Sequence, residues 1–271
     1  MTSLKEVLEK KLSEEEAEKA VTSFDIIGDI AIIEVPGELE HREKEIGEAI
    51  LEVHKNVKTV CKRAGIHEGT YRIRPVKVIA GENKTITEYK ESGARIRLDV
   101  SKVYFTPRLS HERERIANQV KPGEIIGYWF AGVGPFGLVI LKKVPDVKIY
   151  AIELNPEAVK WMQKNIRLNK VEEKMIPILG DVKKEAEKIP EKMDRIIMPL
   201  PKTGEDFLDL AFKHVKKGGI IHFYYFGDRK DPYALGEEIV RKRAKNAKIL
   251  FKRVVRPFSP GKVQVVFDIL N

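Results

Sequence analysis

From Pro107 to the C-terminus, apolar strand-like runs alternate with stretches of helical period, and this alternation narrows the possible folds more than any other feature. A helix is expected over 108–119. Strands are expected over 124–131, 147–153, 174–179, 194–199 and 218–226, with helices over 135–142, 156–168, 204–215 and 231–245. Strands separated by helices make βαβ units and a parallel sheet covered on both faces. The last two strands, near 247–257 and 262–270, are joined by Ser259-Pro260-Gly261. That link is too short for a crossover helix, so they form an antiparallel hairpin.

The preceding residues read differently. An amphipathic helix over 4–20 is followed by a β-like run at 25–34 and a helix over 40–54. Short strands are expected around 58–61, 71–80, 85–89 and 94–99, with turn signals at Gly81-Glu82-Asn83 and Ser92-Gly93. The expected division is a linker helix over 1–23, a smaller α+β domain over 24–100 and the α/β domain over 101–271.

No apolar run reaches the roughly 18 residues of a membrane span, so no membrane partner is expected. The charged start is not a secretory signal. A single cysteine, Cys61, excludes a disulfide framework and a cysteine-rich zinc site, and suits a reducing, cytoplasmic compartment. Histidines 54, 67, 214 and 222 lack metal-ligand spacing, so no metal is expected. The net charge of +9 fits either surface ion-pair networks or a polyanionic partner. The basic run 241–248 reads as a solvated helix end, with a contribution to an RNA-facing surface as the alternative. A monomer is expected.

Three features fall at successive strand ends. The first is the turn Phe130-Ala131-Gly132-Val133-Gly134-Pro135-Phe136. Gly132 and Gly134 carry no Cβ and let a ligand approach the backbone, although a lone G-x-G is often only a tight turn. It lacks the third glycine of a dinucleotide fingerprint and the Lys-Ser/Thr of a P-loop. The second is Glu153, about 20 residues further on, where a carboxylate accepts ribose hydroxyls; the alternative is a surface carboxylate. The third is Gly180-Asp181-Val182, where Asp181 either binds an adenine amino group or caps a helix. Ligands of open α/β sheets bind on that rim. The fourth strand ends in Met198-Pro199-Leu200-Pro201, a rigid turn.

The runs GTYRIR (69–74), DVSKVYFTPRLSHERERI (99–116), FAGVGPF (130–136), AIELNPEAVKWMQKNIRLNKV (151–171), ILGDV (178–182), RIIMPLPKTGEDFLDLAF (195–212) and GGIIHFYYF (218–226) resemble the archaeal and eukaryotic tRNA (guanine-37 N1)-methyltransferases. The resemblance runs from about residue 24 to 270. It implies a Rossmann-like class I methyltransferase sheet, S-adenosyl-L-methionine (AdoMet) as cofactor and the tRNA anticodon stem-loop as partner. It makes Glu112 the general base and Arg72 the residue that steadies the target base. It places Arg113, Phe130, Gly132, Gly134, Glu153, Leu154, Asp181, Val182 and Pro199 at the AdoMet pocket, and Arg74 and Arg108 at the RNA. Without the family, Glu112 reads as part of an exposed charge run, and Arg72 and Arg74 as a solvated strand face.

The chain departs from the family at Tyr128, where an Asp is usual, and at Pro199, where an Asn is usual. Members often carry a further N-terminal domain, whereas this chain opens on the linker helix. The wybutosine-synthesis aminocarboxypropyl transferases are the nearest relatives in the superfamily, and Pro135 favours the methyltransferase branch. Aminocarboxypropyl transfer and non-catalytic RNA binding are the alternatives.

Overall fold

Ser3 and Ser13 each accept a hydrogen bond from the amide three residues on, and the Glu6 and Glu16 carboxylates accept in turn from the serine amides. Such capping boxes start helices, so the single helix expected over 4–20 is two: α1 (Leu4–Lys11) and α2 (Glu14–Lys19). Leu4, Val7, Leu8, Leu12, Ala17 and Ala20 are buried with Ile33, Ile46 and Val60. The expected linker over 1–23 thus belongs to the first core.

The computed structural model describes residues 3–20, 22–65 and 75–271. It divides into two units, Met1–Glu91 with Arg95–Pro107, and Arg108–Asn271 with Ser92–Ala94. The boundary falls after Pro107 rather than near residue 100. Val100, Val103 and Phe105 still gather with Ile27, Ile32 and Leu98 of the first unit.

In the first unit, β1 (Asp25–Ile27) and β2 (Ile30–Ile33) form a hairpin turning at Gly28, where one run was expected. The helix expected over 40–54 is a 3-10 turn followed by α3 (Glu43–Val53). Next come β3 (Thr59–Arg63), β4 (Val76–Gly81), β5 (Ile86–Glu91) and β6 (Ala94–Asp99). A four-stranded sheet has the order β1-β2-β3-β4, and β5 pairs with β6. Cys61 is buried in β3, and burial pushes its thiol up to about 11, so it is a small core residue and not a nucleophile.

The second unit contains α4 (Ser110–Ala117), β7 (Ile125–Trp129), α5 (Pro135–Lys143), β8 (Lys148–Glu153), α6 (Pro156–Asn169), β9 (Met175–Leu179) and α7 (Val182–Glu185). These are followed by β10 (Met193–Met198), α8 (Leu208–His214), β11 (Val215–Asp228), α9 (Ala234–Arg243), β12 (Lys248–Ser259) and β13 (Lys262–Leu270). The seven-stranded sheet has the order β12-β13-β11-β10-β7-β8-β9. Its five strands from β11 to β9 pair in parallel. β13 runs antiparallel to β11 and β12 antiparallel to β13, which is the α/β sheet with a C-terminal hairpin read from the sequence.

The helix expected over 204–215 opens as a 3-10 turn before α8. The strand order reverses between β7 and β10, and a doubly wound sheet opens its ligand crevice beyond the carboxyl ends at such a switch point. The Gly132–Gly134 turn follows β7 and the Pro199 turn follows β10, one on each side of it. Trp129, Ile152, Ile196, Met198, Phe223 and Phe267 form the core beneath. Among the described residues no helix is long and apolar enough to cross a membrane.

Candidate active site

The chain leaves β7 through Phe130 and Gly132 with positive φ (59° and 56°), then Gly134 (91°), which starts α5 ahead of Pro135. A non-glycine residue at positive φ is strained, and Phe130 is held there by its surroundings. The Ala131 amide donates to the Ile152 carbonyl (3.0 Å), and the Phe130 ring meets Phe207 edge-on at 4.7 Å. Lys183 Nζ lies 5.1 Å from the Phe207 ring centroid, so Phe207, which the sequence did not single out, joins the turns after β7 and β9.

Glu153 ties this turn to the next. The Gly132 amide donates to Glu153 Oε2 at 2.7 Å, and the Asn155 amide donates to Oε1 at 2.8 Å. Burial pushes the Glu153 carboxyl up, and amides of Asn155, Gly132 and Leu154 pull the other way. Each oxygen is thus oriented and retains acceptor capacity, which is the donor-set chemistry that a pair of ribose hydroxyls requires. The group that the resemblance implies fits this carboxylate.

Gly134 differs from its expected role. A Cβ there would lie 2.9 Å from Met175 Cε and 3.2 Å from Met162 Cγ. Core methionines, and not a ligand, occupy the space its missing side chain leaves. Asp181 caps α7, its Oδ1 accepting from the Lys183 amide at 2.9 Å, and capping through this one oxygen does not exclude an adenine contact. The Val182 side chain is buried in the core, while Leu154 is exposed. At Pro199 the Leu200 amide donates to the Met198 carbonyl at 2.8 Å, a three-residue turn that the proline ring suits. Tyr128, in place of the usual Asp, is buried with its ring edge-on to Phe136 at 5.7 Å. Arg113 is buried, with its guanidinium 6.0 Å from the Phe136 centroid. Arg108 is exposed on a 3-10 turn over Pro107–Leu109. Arg72 and Arg74 lie outside the described residues.

Glu112 is not part of an exposed charge run: it is 1% exposed on α4. Its Oε1 accepts from Arg115 Nη2 (2.7 Å), Arg115 Nε (3.1 Å) and the Tyr224 hydroxyl (2.7 Å). Among the described residues its Oε2 accepts only from Arg115 Nε, at 3.0 Å, with Arg253 Nη2 3.6 Å away. Arg115 also grips Asp268 (2.6 and 3.0 Å), and Asp268 accepts from His222 Nδ1 at 2.6 Å. Arg195 donates to His222 Nε2 at 2.7 Å, which leaves His222 neutral with its proton on Nδ1. Burial lowers the His222 pKa further. Burial opposes ionisation of Asp268, yet the bonds from His222 and Arg115 prevail and hold it below the usual carboxylate range.

Burial, together with the Glu112 charge, raises the Tyr224 pKa and keeps it a donor. Tyr224, Arg115, His222, Asp268 and Arg253 had no sequence reading that tied them to Glu112. The available signal was two polar groups, His222 and Tyr224, on one face of an otherwise apolar strand. Among the described residues no cluster of His, Cys, Asp and Glu is placed to hold a metal ion.

A doubly wound sheet with this rim and turn defines a class I methyltransferase, and comparison with known proteins narrows it. Residues 87–255 match the TRM5/TYW2 methyltransferase domain, and residues 4–85 match the TYW2 N-terminal domain. The chain belongs to the TRM5/TYW2 family. It is 47% identical over 251 residues to the tRNA (guanine(37)-N(1))-methyltransferase Trm5b of Pyrococcus abyssi, covering 91% of this chain and 74% of that protein. The crystal structure of P. abyssi Trm5b superposes with a TM-score of 0.90 at 44% identity, covering 100% of this chain and 80% of that one. The tRNA(Phe) (4-demethylwyosine(37)-C(7)) aminocarboxypropyltransferase of Pyrococcus horikoshii is 31% identical, covering 98% of this chain and 95% of its own length.

Proposed function

We infer that this protein transfers the methyl group of AdoMet to N1 of guanosine 37 in tRNA. The observation that carries this reading is the 47% identity, over 91% of the chain, to a protein of that activity.

Guanine N1 bears a proton and is a poor nucleophile until that proton leaves. Glu112 is the general base, and a carboxylate in hydrogen-bond reach of N1 is worth about 10²–10⁴-fold. Its Oε2, with one close donor among the described residues against three at Oε1, is the oxygen that takes the proton. Arg115 and Tyr224 hold the carboxylate in one orientation while it waits. Arg72 stabilises the negative charge that develops on guanine O6. AdoMet, when bound, supplies a methyl group on a positively charged sulfur. Glu153 holds its ribose. Asp181 and the Val182 amide recognise its adenine, and Phe130, Leu154, Gly132, Arg113 and Pro199 complete the pocket, while Gly134 shapes the turn from the core side. Arg74 and Arg108 contact the RNA, whose target base leaves its stack to enter the site. RNA contact falls to the N-terminal part and catalysis to the part that follows Pro107.

A second reading, aminocarboxypropyl transfer from AdoMet to a wybutosine precursor, is favoured by the match of residues 4–85 to the TYW2 N-terminal domain. One experiment separates the two readings. The protein is incubated with a G37-containing tRNA transcript, or with tRNA carrying the wybutosine precursor, and AdoMet labelled separately in its methyl and carboxyl carbons. Methyl label at guanine N1 is expected. Carboxyl label entering the precursor tRNA would establish the second reading, and no label in any tRNA would refute both.

A further inference from the structure

The excess charge of this chain sits in one place. Residues 239–267 contain nine lysines and arginines and no acidic residue, while the whole chain carries a net charge of +9. Everything outside this stretch therefore balances to zero. The stretch forms the end of α9, the edge strand β12 and most of β13.

β12 also exposes large apolar side chains: Leu250 (55%), Phe251 (39%), Val254 (37%) and Phe258 (53%). Phe258 stacks on Phe226 with ring centroids 3.9 Å apart and planes at 27°, which leaves a flat aromatic surface open to solvent. Lys245, Lys248 and Lys262 stand exposed around the strand. Other cations of the stretch already have anions: Lys242 with Glu238, Arg243 with Asp209, and Lys252 with Glu237.

A long exposed edge with apolar side chains invites pairing with another strand, but β12 is built against it. The β12–β13 ladder is interrupted by three register shifts, Pro257 withholds an amide, and lysines line the edge. These are the devices that block strand addition. A second copy would also bring two concentrations of positive charge face to face. Cations interleaved with exposed aromatic rings suit a polyanion whose bases stack.

We propose that β12, with the end of α9 and the β12–β13 turn, is an RNA-docking surface on which Lys245, Lys248 and Lys262 meet backbone phosphates and Phe258 stacks an unpaired base. The inference rests on the tRNA reading above and adds the surface that grips the substrate. The strand also reaches the candidate base. Arg253 in β12 places its Nη2 3.6 Å from Glu112 Oε2, and its buried Nε has no hydrogen-bond partner among the described residues. RNA laid along β12 therefore runs toward Glu112.

The test compares wild type with two variants, a triple Lys245→Ala/Lys248→Ala/Lys262→Ala and Phe258→Ala, for binding of a tRNA transcript across a salt series. AdoMet affinity and thermal midpoint serve as controls. The triple variant is expected to bind tRNA at least tenfold more weakly, with the slope of log K against log salt reduced by about 2–3. Phe258→Ala is expected to lose about fivefold or more. AdoMet affinity stays unchanged in both variants, and the thermal midpoint stays unchanged in the triple variant. tRNA affinity and salt slope equal to wild type in both variants would overturn the proposal. So would a wild-type dimer, seen by sedimentation, that dissociates in the variants, since β12 would then serve a second copy. Wild-type protein that binds and labels no tRNA would overturn the functional reading and this surface together.

Discussion

Tyr224 donates its hydroxyl proton to Glu112 Oε1 at 2.7 Å across 112 residues of sequence, and both groups are buried. Burial and the neighbouring carboxylate keep that proton on the phenol, so the bond has one direction. Tyr224 and Arg115 between them occupy Oε1 and leave Oε2 less engaged.

Removing the phenol should therefore show in both stability and turnover. Tyr224→Phe is expected to cost about 1.5–3 kcal/mol in urea unfolding, the range for a hydrogen bond to a charged group. It should lower the rate of methyl transfer while AdoMet affinity, measured by calorimetry, holds. A methylation rate equal to wild type would show that Tyr224 does not position the base.

Glu112→Gln keeps the shape and removes the basicity. Methyl transfer to N1 should fall about 10²–10⁴-fold in single-turnover assays. AdoMet affinity should change little. Equal losses in both would show that Glu112 supports the pocket rather than taking the proton.

Arg115 bridges two buried carboxylates, Glu112 and Asp268. Arg115→Met leaves both without their main counter-charge. Breaking a buried pair from one side costs about 3–5 kcal/mol, and the urea midpoint should fall accordingly. A change below about 1 kcal/mol would mean that solvent already screens the cluster.

The same cluster sets an acid limb. His222 is held neutral, its pKa lowered by burial from the ordinary 6.5. Unfolding lets it take a proton, so the stability it contributes is present above pH 6.5 and is lost as pH falls toward its folded value. Asp268, also depressed, adds a second loss that begins below its ordinary 3.8. The urea midpoint should decline from pH 7.5 to pH 5, and His222→Gln should flatten that decline. An equal decline in the variant would place the titrating group elsewhere.

Glu153 is oriented by two backbone amides, so its loss should fall on cofactor binding. Glu153→Ala is expected to weaken AdoMet binding by about tenfold to a hundredfold, from hydrogen bonds to a charged group worth about 1.5–3 kcal/mol. Calorimetry measures this directly, and unchanged affinity would remove Glu153 from the pocket.

Local chemistry made much of this protein readable from its residues. The alternation of apolar runs and helical periods after Pro107 determined a parallel sheet, because each element carries its own period. Ser259-Pro260-Gly261 determined the closing hairpin, because three residues cannot cross a sheet. The glycine turn, Glu153 and Asp181 were legible as one rim because parallel strands align their carboxyl ends. The break between α1 and α2 is also local: Ser13-x-x-Glu16 repeats the capping signal of Ser3-x-x-Glu6 inside one continuous helical period.

What tertiary structure alone decided is the environment of each charge. Glu112 sits in a run of alternating charges that sequence alone reads as solvated, yet the fold sets Tyr224, Asp268 and Arg253 around it from strands more than a hundred residues away. Gly134 looks like room for a ligand until Met162 and Met175 fill the space. Periodicity and turn chemistry act over a few residues and are written in order along the chain. Burial and ion pairing depend on which distant side chains share one small volume, and only the packed sheet settles that.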